Sequence, residues 1–489
     1  MKTLTGGGSL TLWLGVISWS LLYLISEWLL RIVMTLVVVR RKKPTPAMAW
    51  LLIIFFQPWF GLFLYMLMGE YRLPRRRIQQ HQQAQLALED YARLAVQQPH
   101  IVRPVIEPEH RTLISMAEHM GEMPIVGGNG VELLADTEAF IEKLIADIDA
   151  AEQHVHLMFY IYGEDETSRR VSAALMRAAE RGVRCRLLAD AVGARPMFRS
   201  LASKMTEAGV EVRPAMPVTP FRRKLARIDL RNHRKIVVID GRVGYTGSQN
   251  IIDPSYGTRH LRWVEMMVRL TGPAVAQLQG VFVEDWYFDT DEALTSPDIY
   301  APPIATGDVP IQSLPSGPTY PTENYQRLVV AAIHAARERV IITTPYLVPD
   351  EALLTALHVA TMRGVRVDLI VPDRSDQPVT AAAGRSYYED LLEAGVNIYQ
   401  YTHGLLHAKT MSVDDAFALI GSSNFDIRSF YLNFELNLLL YGPKITSELR
   451  YRQSQYIADS TRLSLEDWQQ RPYLQRTAED LAKLLSPLL

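Results

Sequence analysis

The sequence predicts an α/β protein in which two α/β repeats pack with pseudo-twofold symmetry, preceded by an N-terminal transmembrane helical hairpin. Three observations predict this architecture. Two long uncharged runs lie near the N-terminus, strand-like and helix-like segments alternate further on, and the alternation recurs with the same short motif in each copy. Internal duplication of this kind indicates one structural unit used twice.

Composition sets the broad class. Of the 489 residues, 48% are hydrophobic and 21% are charged, which is typical of a folded protein with more than one domain. The formal net charge of -2 argues against a globally basic nucleic-acid binder. The one cysteine, Cys185, excludes an intramolecular disulfide, and its apolar surroundings predict a buried thiol.

The uncharged runs at 10–26 and 47–69 predict the two membrane spans. At about 1.5 Å per residue, the second run is long enough to cross the ~30 Å bilayer core. A buried core helix is the alternative, and it fits the first run better because Glu27 and Arg31 follow that run directly. The absence of an evident small-residue cleavage site argues against a removable signal peptide.

Basic residues near the runs leave the membrane orientation open. The cluster at 40–43 lies between the runs, whereas Lys2 and the cluster at 75–77 lie outside them. The positive-inside rule compares these loops, and here they nearly balance. A cytoplasmic main domain is the favoured alternative.

The composition and periodicity predict five segments. These are 1–70, with two transmembrane helices; 71–116, a polar helical linker; 117–296, the first repeat; 297–321, a proline- and glycine-rich linker; and 322–489, the second repeat with a C-terminal helix. In each repeat the predicted order is helix, strand, helix, strand. The ranges are 137–152, 155–162, 168–182 and 183–190 in the first copy, and 324–339, 340–348, 351–364 and 365–372 in the second.

Each repeat also carries the motif H-x-K-x4-D-x6-G-S-x-N. The matched positions are His233 and His407, Lys235 and Lys409, Asp240 and Asp414, Gly247 and Gly421, Ser248 and Ser422, and Asn250 and Asn424. A single H-x-K arises easily by chance. Six matched positions at equal spacing in two copies are strong evidence for a shared function.

The spacing within the motif predicts a strand, a tight turn and a returning strand. Residues two apart on a strand face the same side, so His233 and Lys235 are expected to point together. Asp240 and the glycine after it form a typical hairpin turn. The returning strand brings Ser248 and Asn250 back towards the histidine, so each repeat presents an imidazole, an ammonium, a hydroxyl and an amide.

These groups suit phosphodiester chemistry. A neutral imidazole is available as a nucleophile near neutral pH, and a second imidazole can transfer the proton of the leaving or attacking alcohol. The two lysines, with Ser248, Asn250, Ser422 and Asn424, are expected to bind the phosphoryl oxygens. One motif supplies one histidine, so the chemistry requires both repeats to face each other. No acidic or histidine cluster has a metal-like spacing, and we expect neither a metal nor another cofactor.

An acidic residue follows each motif within an apolar strand, Glu265 in the first copy and Glu435 in the second. An unpaired carboxylate there would be costly. Pairing with a catalytic histidine would fix the tautomer of that ring, whereas pairing with a structural arginine is the alternative.

A basic stretch precedes only the first motif. It includes Arg222, Arg223, Lys224 and Arg227. A solvated basic loop is the default interpretation. The alternative is binding of an anionic headgroup or of the anionic membrane surface.

With these features in place, the sequence resembles the phospholipase D superfamily and, within it, the bacterial cardiolipin synthases. The similarity includes both motifs, the two N-terminal runs, "PSGP", "TTPYLVP", "DIRSFYLNFE" and the tail "RPYLQRTAEDLAKLLSPLL". It implies location in the bacterial inner membrane, with phosphatidylglycerol and anionic membrane lipid as partners. It also implies phosphatidyl transfer between two phosphatidylglycerol molecules, which yields cardiolipin and glycerol through a phosphohistidine.

The resemblance further implies His233 as the nucleophile and His407 as the acid and base, although local symmetry leaves the reverse open. It implies that Asp240 and Asp414 mainly hold the site together. A membrane-anchored phospholipase D hydrolase and an inactive membrane scaffold remain alternatives, while a nuclease is disfavoured by the near-neutral charge. Both motifs lie in one chain, so catalysis requires no homodimer, and a homodimer remains open.

Overall fold

The computed structural model describes residues 8–41, 44–69, 100–104, 106–121, 123–217, 229–256, 261–320, 322–484 and 486. These residues fall into two compact units. The first comprises the described parts of Met1–Leu73 and Leu225–Asp229, and the second the described parts of Pro74–Lys224 and Leu230–Leu489.

The N-terminal unit contains one helix long and apolar enough to cross a membrane. Its helices are α1 (Gly8–Arg41), α2 (Pro44–Phe56) and α3 (Pro58–Met68). Among the residues whose side chains are described, its apolar stretch is Trp19–Arg41, which overlaps the end of the predicted run at 10–26. It tolerates Glu27 and Arg31 because the two side chains pair one helical turn apart, at 3.4 Å.

The second predicted span, at 47–69, is interrupted within the described residues and forms two helices instead of one. The helix is interrupted at Gln57, whose backbone leaves the helical region at φ -138° and ψ 85°. Pro58 follows, and proline cannot donate the amide hydrogen that a continuous helix needs. The Arg31 guanidinium donates to the Phe55 carbonyl at 3.2 Å, which satisfies one of the acceptors exposed by the break.

The two short helices pack against each other. The ring centroids of Trp50 and Tyr65 are 5.2 Å apart. A Cβ on Gly61 would lie 2.7 Å from the Ile54 Cα, so glycine permits this close approach. Because α2 and α3 have 13 and 11 residues, neither reaches the ~30 Å of a bilayer core. The second run is therefore a helical reversal.

The second unit is built on strands from both repeats. They are β1 (Val126–Leu134), β2 (His154–Phe159), β3 (Arg184–Asp190), β4 (Glu211–Ala215), β5 (Ile236–Ile239), β6 (Val243–Gly247), β7 (Trp263–Val264), β8 (Met267–Thr271), β9 (Val309–Ser316), β10 (Arg339–Thr343), β11 (Leu347–Val348), β12 (Arg366–Pro372), β13 (Asn397–Tyr401), β14 (Leu405–Leu406), β15 (Thr410–Val413), β16 (Phe417–Gly421), β17 (Phe425–Asp426), β18 (Glu435–Tyr441) and β19 (Ser460–Arg462).

Fifteen of the strands described form one mixed sheet. Its order is β19-β13-β12-β10-β15-β16-β18-β9-β1-β8-β6-β5-β2-β3-β4. Read outwards from the β9–β1 pair, β18, β16, β15, β10, β12 and β13 correspond to β8, β6, β5, β2, β3 and β4. The predicted pseudo-twofold arrangement of two repeats is thus confirmed, and its axis passes between β9 and β1.

Helices cover both faces of this sheet. They are α4 (Pro108–Gly121), α5 (Thr137–Asp149), α6 (Glu166–Glu180), α7 (Arg195–Ser200), α8 (Ala202–Glu207), α9 (Val275–Thr290), α10 (Asn324–Ala335), α11 (Glu351–Met362), α12 (Pro378–Arg385), α13 (Tyr388–Glu393), α14 (Ile427–Tyr431), α15 (Pro443–Ala458), α16 (Leu465–Gln469) and α17 (Tyr473–Lys483). Apolar residues of α9 and α15, including Phe282 and Leu449, share one core that spans both repeats. On the opposite face, α5 and α6 cover the first repeat, and α10 and α11 cover the second.

The predicted linker at 297–321 contains β9, a central strand of the sheet. Its Ile311 and Leu314 side chains are fully buried. β9 pairs with β18 on one side and β1 on the other. Prolines and glycines in this segment suggested a linker, but the apolar residues between them provide the contact that joins the repeats.

The predicted linker at 71–116 also contributes to the fold where the structure describes it. α4 packs on α10, and its Leu113 and Ile114 join the core of the second repeat. The boundary at 117 therefore divides one helix. Residues 70–99, which include most of this predicted linker, lie outside the described residues.

The reversal of α2 and α3 can be tested by cross-linking. In membranes containing Trp50→Cys/Tyr65→Cys protein, we expect a short bis-maleimide to join the two cysteines within one chain. A continuous helix would separate these positions by about 22 Å. The matched control is Trp19→Cys/Met34→Cys, which has the same sequence separation within continuous α1. Equal, low cross-linking of both pairs, measured by protease digestion and mass spectrometry, would contradict the reversal.

Candidate active site

The motif aspartates anchor the two motif hairpins. Asp240 accepts hydrogen bonds of 2.8–2.9 Å from the backbone amides of 152–154, and Asp414 accepts matching bonds from 337–339. Both aspartates have left-handed backbones, with φ of 52° and 47°. Burial opposes ionisation of Asp414, but hydrogen bonds from His110 and the three amides lower its pKa to about 2. Each aspartate thus fixes a hairpin turn to the start of β2 or β10.

The motif lysines are fully buried beside the histidines. Lys235 donates to the His233 carbonyl at 2.7 Å, and Lys409 donates to the His407 carbonyl at 2.6 Å. Burial and the nearby Lys409 charge lower the pKa of Lys235 to about 7. Burial lowers the pKa of Lys409 to about 8, against the attraction of Glu265 and Glu435.

The two histidines are held by carboxylates from the opposite repeats. The Nδ1 atom of His407 lies 2.7 Å from Glu265, and the Nδ1 atom of His233 lies 3.1 Å from Glu435. Both glutamates are buried, and they contact histidines rather than the structural arginine considered as an alternative. Each bond joins one repeat to the other, so the histidines belong to one site.

Burial and the neighbouring charges have opposite effects on the pKa values of these histidines and glutamates. Burial raises the pKa of Glu265, but His407 and Lys409 outweigh it and hold that pKa at about 2. Burial lowers the pKa of His407 to about 4, and it also lowers the pKa of His233. Near neutral pH the site therefore combines carboxylates with neutral imidazoles whose Nδ1 atoms are engaged.

The motif serines contact these same glutamates. Ser248 donates to Glu265 at 2.5 Å, and Ser422 donates to Glu435 at 2.5 Å. Each hydroxyl also accepts from a backbone amide at 2.9–3.0 Å, and both side chains are fully buried. The sequence predicted these hydroxyls as phosphate donors. In the structure their hydrogens are directed at the carboxylates, so they position the glutamates.

The motif asparagines differ between the repeats. The Asn250 side-chain oxygen accepts from the Ile161 amide at 3.1 Å. The Asn424 side-chain oxygen is buried and has no hydrogen-bond partner among the described residues, while its amide contacts Asp426. Of the two predicted phosphate-binding asparagines, Asn250 therefore supports the loop after β2.

Aromatic rings form walls that the sequence analysis missed. The Tyr160 ring centroid is 4.7 Å from that of His233, and the Trp263 centroid is 4.5 Å from that of His407. The Tyr346 ring is 6.2 Å from His407, and its hydroxyl donates to Asp376 at 2.6 Å. Tyr160 and Tyr346 lie just beyond β2 and β10, which were predicted correctly as strands. Because both residues are far from the motifs along the chain, nothing in the sequence indicated that their rings contact the histidines.

Arg234 is a second missed residue. It lies between the first histidine and lysine, and its guanidinium is buried. It contacts Asp285 at 2.8 Å, and it donates to the Glu435 and Ser316 carbonyls at 3.0 and 3.2 Å. Because Ala408 occupies the matching position, only the first motif has this tie to the other repeat.

The basic stretch predicted to bind headgroups or membrane lies outside the described residues. This applies to Arg222, Arg223, Lys224 and Arg227. The arginine that closes the stretch, Arg231, is described. It is buried, with its guanidinium 3.4 Å from Asp190, and so has a structural contact.

Comparison with known proteins agrees with the duplicated architecture. The family model "Cardiolipin synthase, PLD-like domain" matches residues 144–286 and 329–456. The model "Phospholipase D-nuclease N-terminal" matches residues 29–70. Together these matches cover the later part of α1, both α2 and α3, and most of each repeat.

Two relatives align with nearly the whole chain. Cardiolipin synthase A of Serratia proteamaculans is 37% identical over 483 residues, and cardiolipin synthase A of Yersinia pseudotuberculosis is 38% identical over 487 residues. Each alignment covers 97% of this chain and 99% of the relative. Among solved structures, phosphatidylserine synthase of Haemophilus influenzae is similar with a TM-score of 0.61 and 14% identity, covering 77% of this chain and 100% of that one. That structural likeness concerns the fold.

Proposed function

The chain belongs to the family of cardiolipin synthases with PLD-like domains, and on that premise we propose that it transfers a phosphatidyl group between two phosphatidylglycerol molecules. The products are cardiolipin and glycerol. The observation that carries this proposal is the pair of crossed histidine–glutamate contacts with two buried lysines beside them. Two imidazoles held in one site by opposite repeats suit a two-step phosphoryl transfer.

In the first step, the Nε2 atom of His233 attacks the phosphorus of one phosphatidylglycerol. The bond from phosphorus to the glycerol oxygen breaks, and His407 donates a proton to that oxygen, so glycerol leaves. In the second step, His407 removes the proton from a hydroxyl of the second phosphatidylglycerol. That oxygen attacks phosphorus, the phosphorus–nitrogen bond breaks, and cardiolipin forms.

The asymmetry of the site supports this division of roles. The contact of His407 with Glu265 is shorter than that of His233 with Glu435, and this close carboxylate opposes the burial that lowers the His407 pKa to about 4. In this proposal, binding of the anionic phosphodiester adds the negative charge that favours the protonated form of His407. His233 has the longer carboxylate contact, which suits a neutral nucleophile.

The lysines supply the positive charge. Lys235 and Lys409 lie beside the histidines that would meet phosphorus, and in a buried site their charge strongly stabilises negative oxygens. The glutamates and the serines bound to them act through the histidines as positioning residues. We assign Asn424, whose oxygen lacks a partner among the described residues, and the basic stretch at 222–227 to contacts with the lipid headgroup.

The positively charged clusters around the helical unit also suggest an orientation. If α1 crosses the bilayer and α2–α3 reverses, the clusters at 40–43 and 75–77 emerge on the same side. The positive-inside rule then favours the cytoplasmic side for both, with the N-terminus opposite. The sequence analysis assumed two crossings, which would place the clusters at 40–43 and 75–77 on opposite sides of the membrane. For that reason the positive charges on the two sides nearly balanced.

The assigned reaction is tested by incubating purified protein with phosphatidylglycerol vesicles and separating the products by lipid class. We expect cardiolipin and glycerol in equal amounts. His233→Ala and His407→Ala should each reduce turnover by at least about a thousandfold, because each removes a group that reacts. His403→Ala, at an exposed position, is the matched control. Phosphatidic acid as the main product would indicate hydrolysis, and absent turnover an inactive scaffold.

The lysines predict a basic limb in the pH profile. Lys235 and Lys409 carry charge below their pKa values of about 7 and about 8 and lose it above them. We therefore expect kcat/KM to fall as the pH rises through 7 to 9, since this ratio reports the free enzyme. Lys235→Arg keeps the charge and should shift the limb upwards, whereas exposed Lys444→Arg should not. A constant kcat/KM from pH 6.5 to 9.5 would refute the role of the lysines.

Orientation can be measured with single cysteines at Lys42 and Arg72 and a third at Thr5, each in a Cys185→Ser background. In intact spheroplasts, a membrane-impermeant maleimide should label only the cysteine at position 5. After lysis, the cysteines at 42 and 72 should also react. Labelling of position 72 together with position 5, before lysis, would show two crossings instead of one.

A further inference from the structure

The C-terminal helix α17 is amphipathic, but it is turned the opposite way from an ordinary surface helix. Tyr473, Leu474, Leu481 and Leu484 are 79%, 82%, 61% and 74% exposed. Among the helix residues, Glu479 is the one that is buried. A surface helix normally buries its apolar stripe and exposes its charges. Here the apolar stripe faces outwards.

Specific polar contacts hold the helix in this orientation. Arg471, which stacks on the Trp468 ring at 3.5 Å, makes an ion pair with buried Glu479. Arg476 contacts Glu389 of α13 at 3.1 Å. Lys483 lies 4.4 Å from the Tyr387 ring centroid. The inward face is therefore bound to the domain by charge, and a simple rotation that buried the leucines would break these contacts.

The large apolar side chains share one face of the helix. At about 100° per residue, positions 473, 474, 481 and 484 fall within one arc of roughly 100°. Thr477 lies within the same arc and separates the two apolar ends of the stripe, and exposed Ala478 lies about 40° beyond it. Charged residues hold the inward face of the helix to the domain, and the large apolar side chains are exposed on the opposite face. Such an exposed apolar row indicates an interaction surface.

The helix is linked indirectly to the second half of the active site. α17 packs on α12, and a Cβ on Gly384 of α12 would lie 2.5 Å from the Leu347 carbonyl, so α12 packs tightly on β11. Asp376, just before α12, accepts from Tyr346, whose ring faces His407. The helix that carries the exposed stripe is thus connected, through α12 and the residues next to it, to the Tyr346 ring beside His407.

We propose that the outward face of α17 docks into the bilayer interface and places the second half of the site beside its lipid substrate. The occupant that we propose is a lipid surface, because the same chain carries an apolar helix long enough to cross a membrane and so to tether the domain to a bilayer. Aromatic and leucine side chains on a helix lying in the membrane plane enter the headgroup and acyl boundary. The proposal rests on the proposed function only in taking the substrate from that bilayer.

The first test measures docking without turnover. Full-length Cys185→Ser/His407→Ala protein carries an environment-sensitive fluorophore at Leu481→Cys and is placed in phosphatidylglycerol nanodiscs. We expect a blue-shifted emission that is quenched by brominated lipids. The control is Met362→Cys on α11, which is 85% exposed and should remain unquenched. Absence of lipid quenching at 481, or burial of the probe by a second protein copy, would overturn the proposal.

The second test measures the consequence for catalysis. Leu474→Glu/Leu481→Glu should lower turnover of bilayer phosphatidylglycerol about tenfold, because two leucines no longer enter the interface. Turnover of monomeric short-chain phosphatidylglycerol should change less than about twofold. Met362→Glu is the matched control on both substrates. Equal loss on both substrates would overturn the proposal, whereas a wild-type protein inactive on both would refute the proposed function and leave the fluorescence result to decide docking.

Discussion

The two buried carboxylates, Glu265 and Glu435, impose the constraint on which the site depends. A buried carboxylate is costly unless it is paired. Each finds its partner histidine in the opposite repeat, so the charge of one repeat is compensated only when the other is in register. The serines of the motif complete this arrangement because their hydroxyls bind the same carboxylates. Burial of charge thus couples the fold to the chemistry.

The continuous sheet maintains that register. β9 and β1 pair at the pseudo-twofold axis, and the core between α9, α15 and the sheet contains residues of both repeats. The motif aspartates then fix each hairpin turn to the strand beside it through three backbone amides. The site is rigid at its base, where misplacement of a histidine by an ångström would be costly to catalysis. Its aromatic rings line the two histidines, and the stripe of α17 that we propose to face lipid belongs to the same repeat as His407.

Departures from symmetry distinguish the two halves of the site. Arg234 ties only the first motif to the opposite repeat, since the matching position is Ala408. His407 has the shorter carboxylate contact, and the Asn424 oxygen lacks a partner among the described residues, unlike that of Asn250. The mechanism that we propose gives the two histidines different roles, and such differences suit it because identical environments would give them identical proton affinities.

The repeats, their strand and helix order, the hairpin within each motif and the residues of the motif were predictable from the sequence, because periodicity and exact spacing are local properties. Partners distant along the chain were not. The prolines of 297–321 concealed a central strand, the uncharged run at 47–69 concealed a reversal at Gln57, and the stripe of α17 gave no indication of which face would turn inwards. In each case the outcome depended on what a segment packs against. The duplicated motif and its spacing therefore determined from the sequence alone that two half-sites exist. The tertiary structure decided that their carboxylates cross, because the compensation of a buried charge depends on distance in space rather than along the chain.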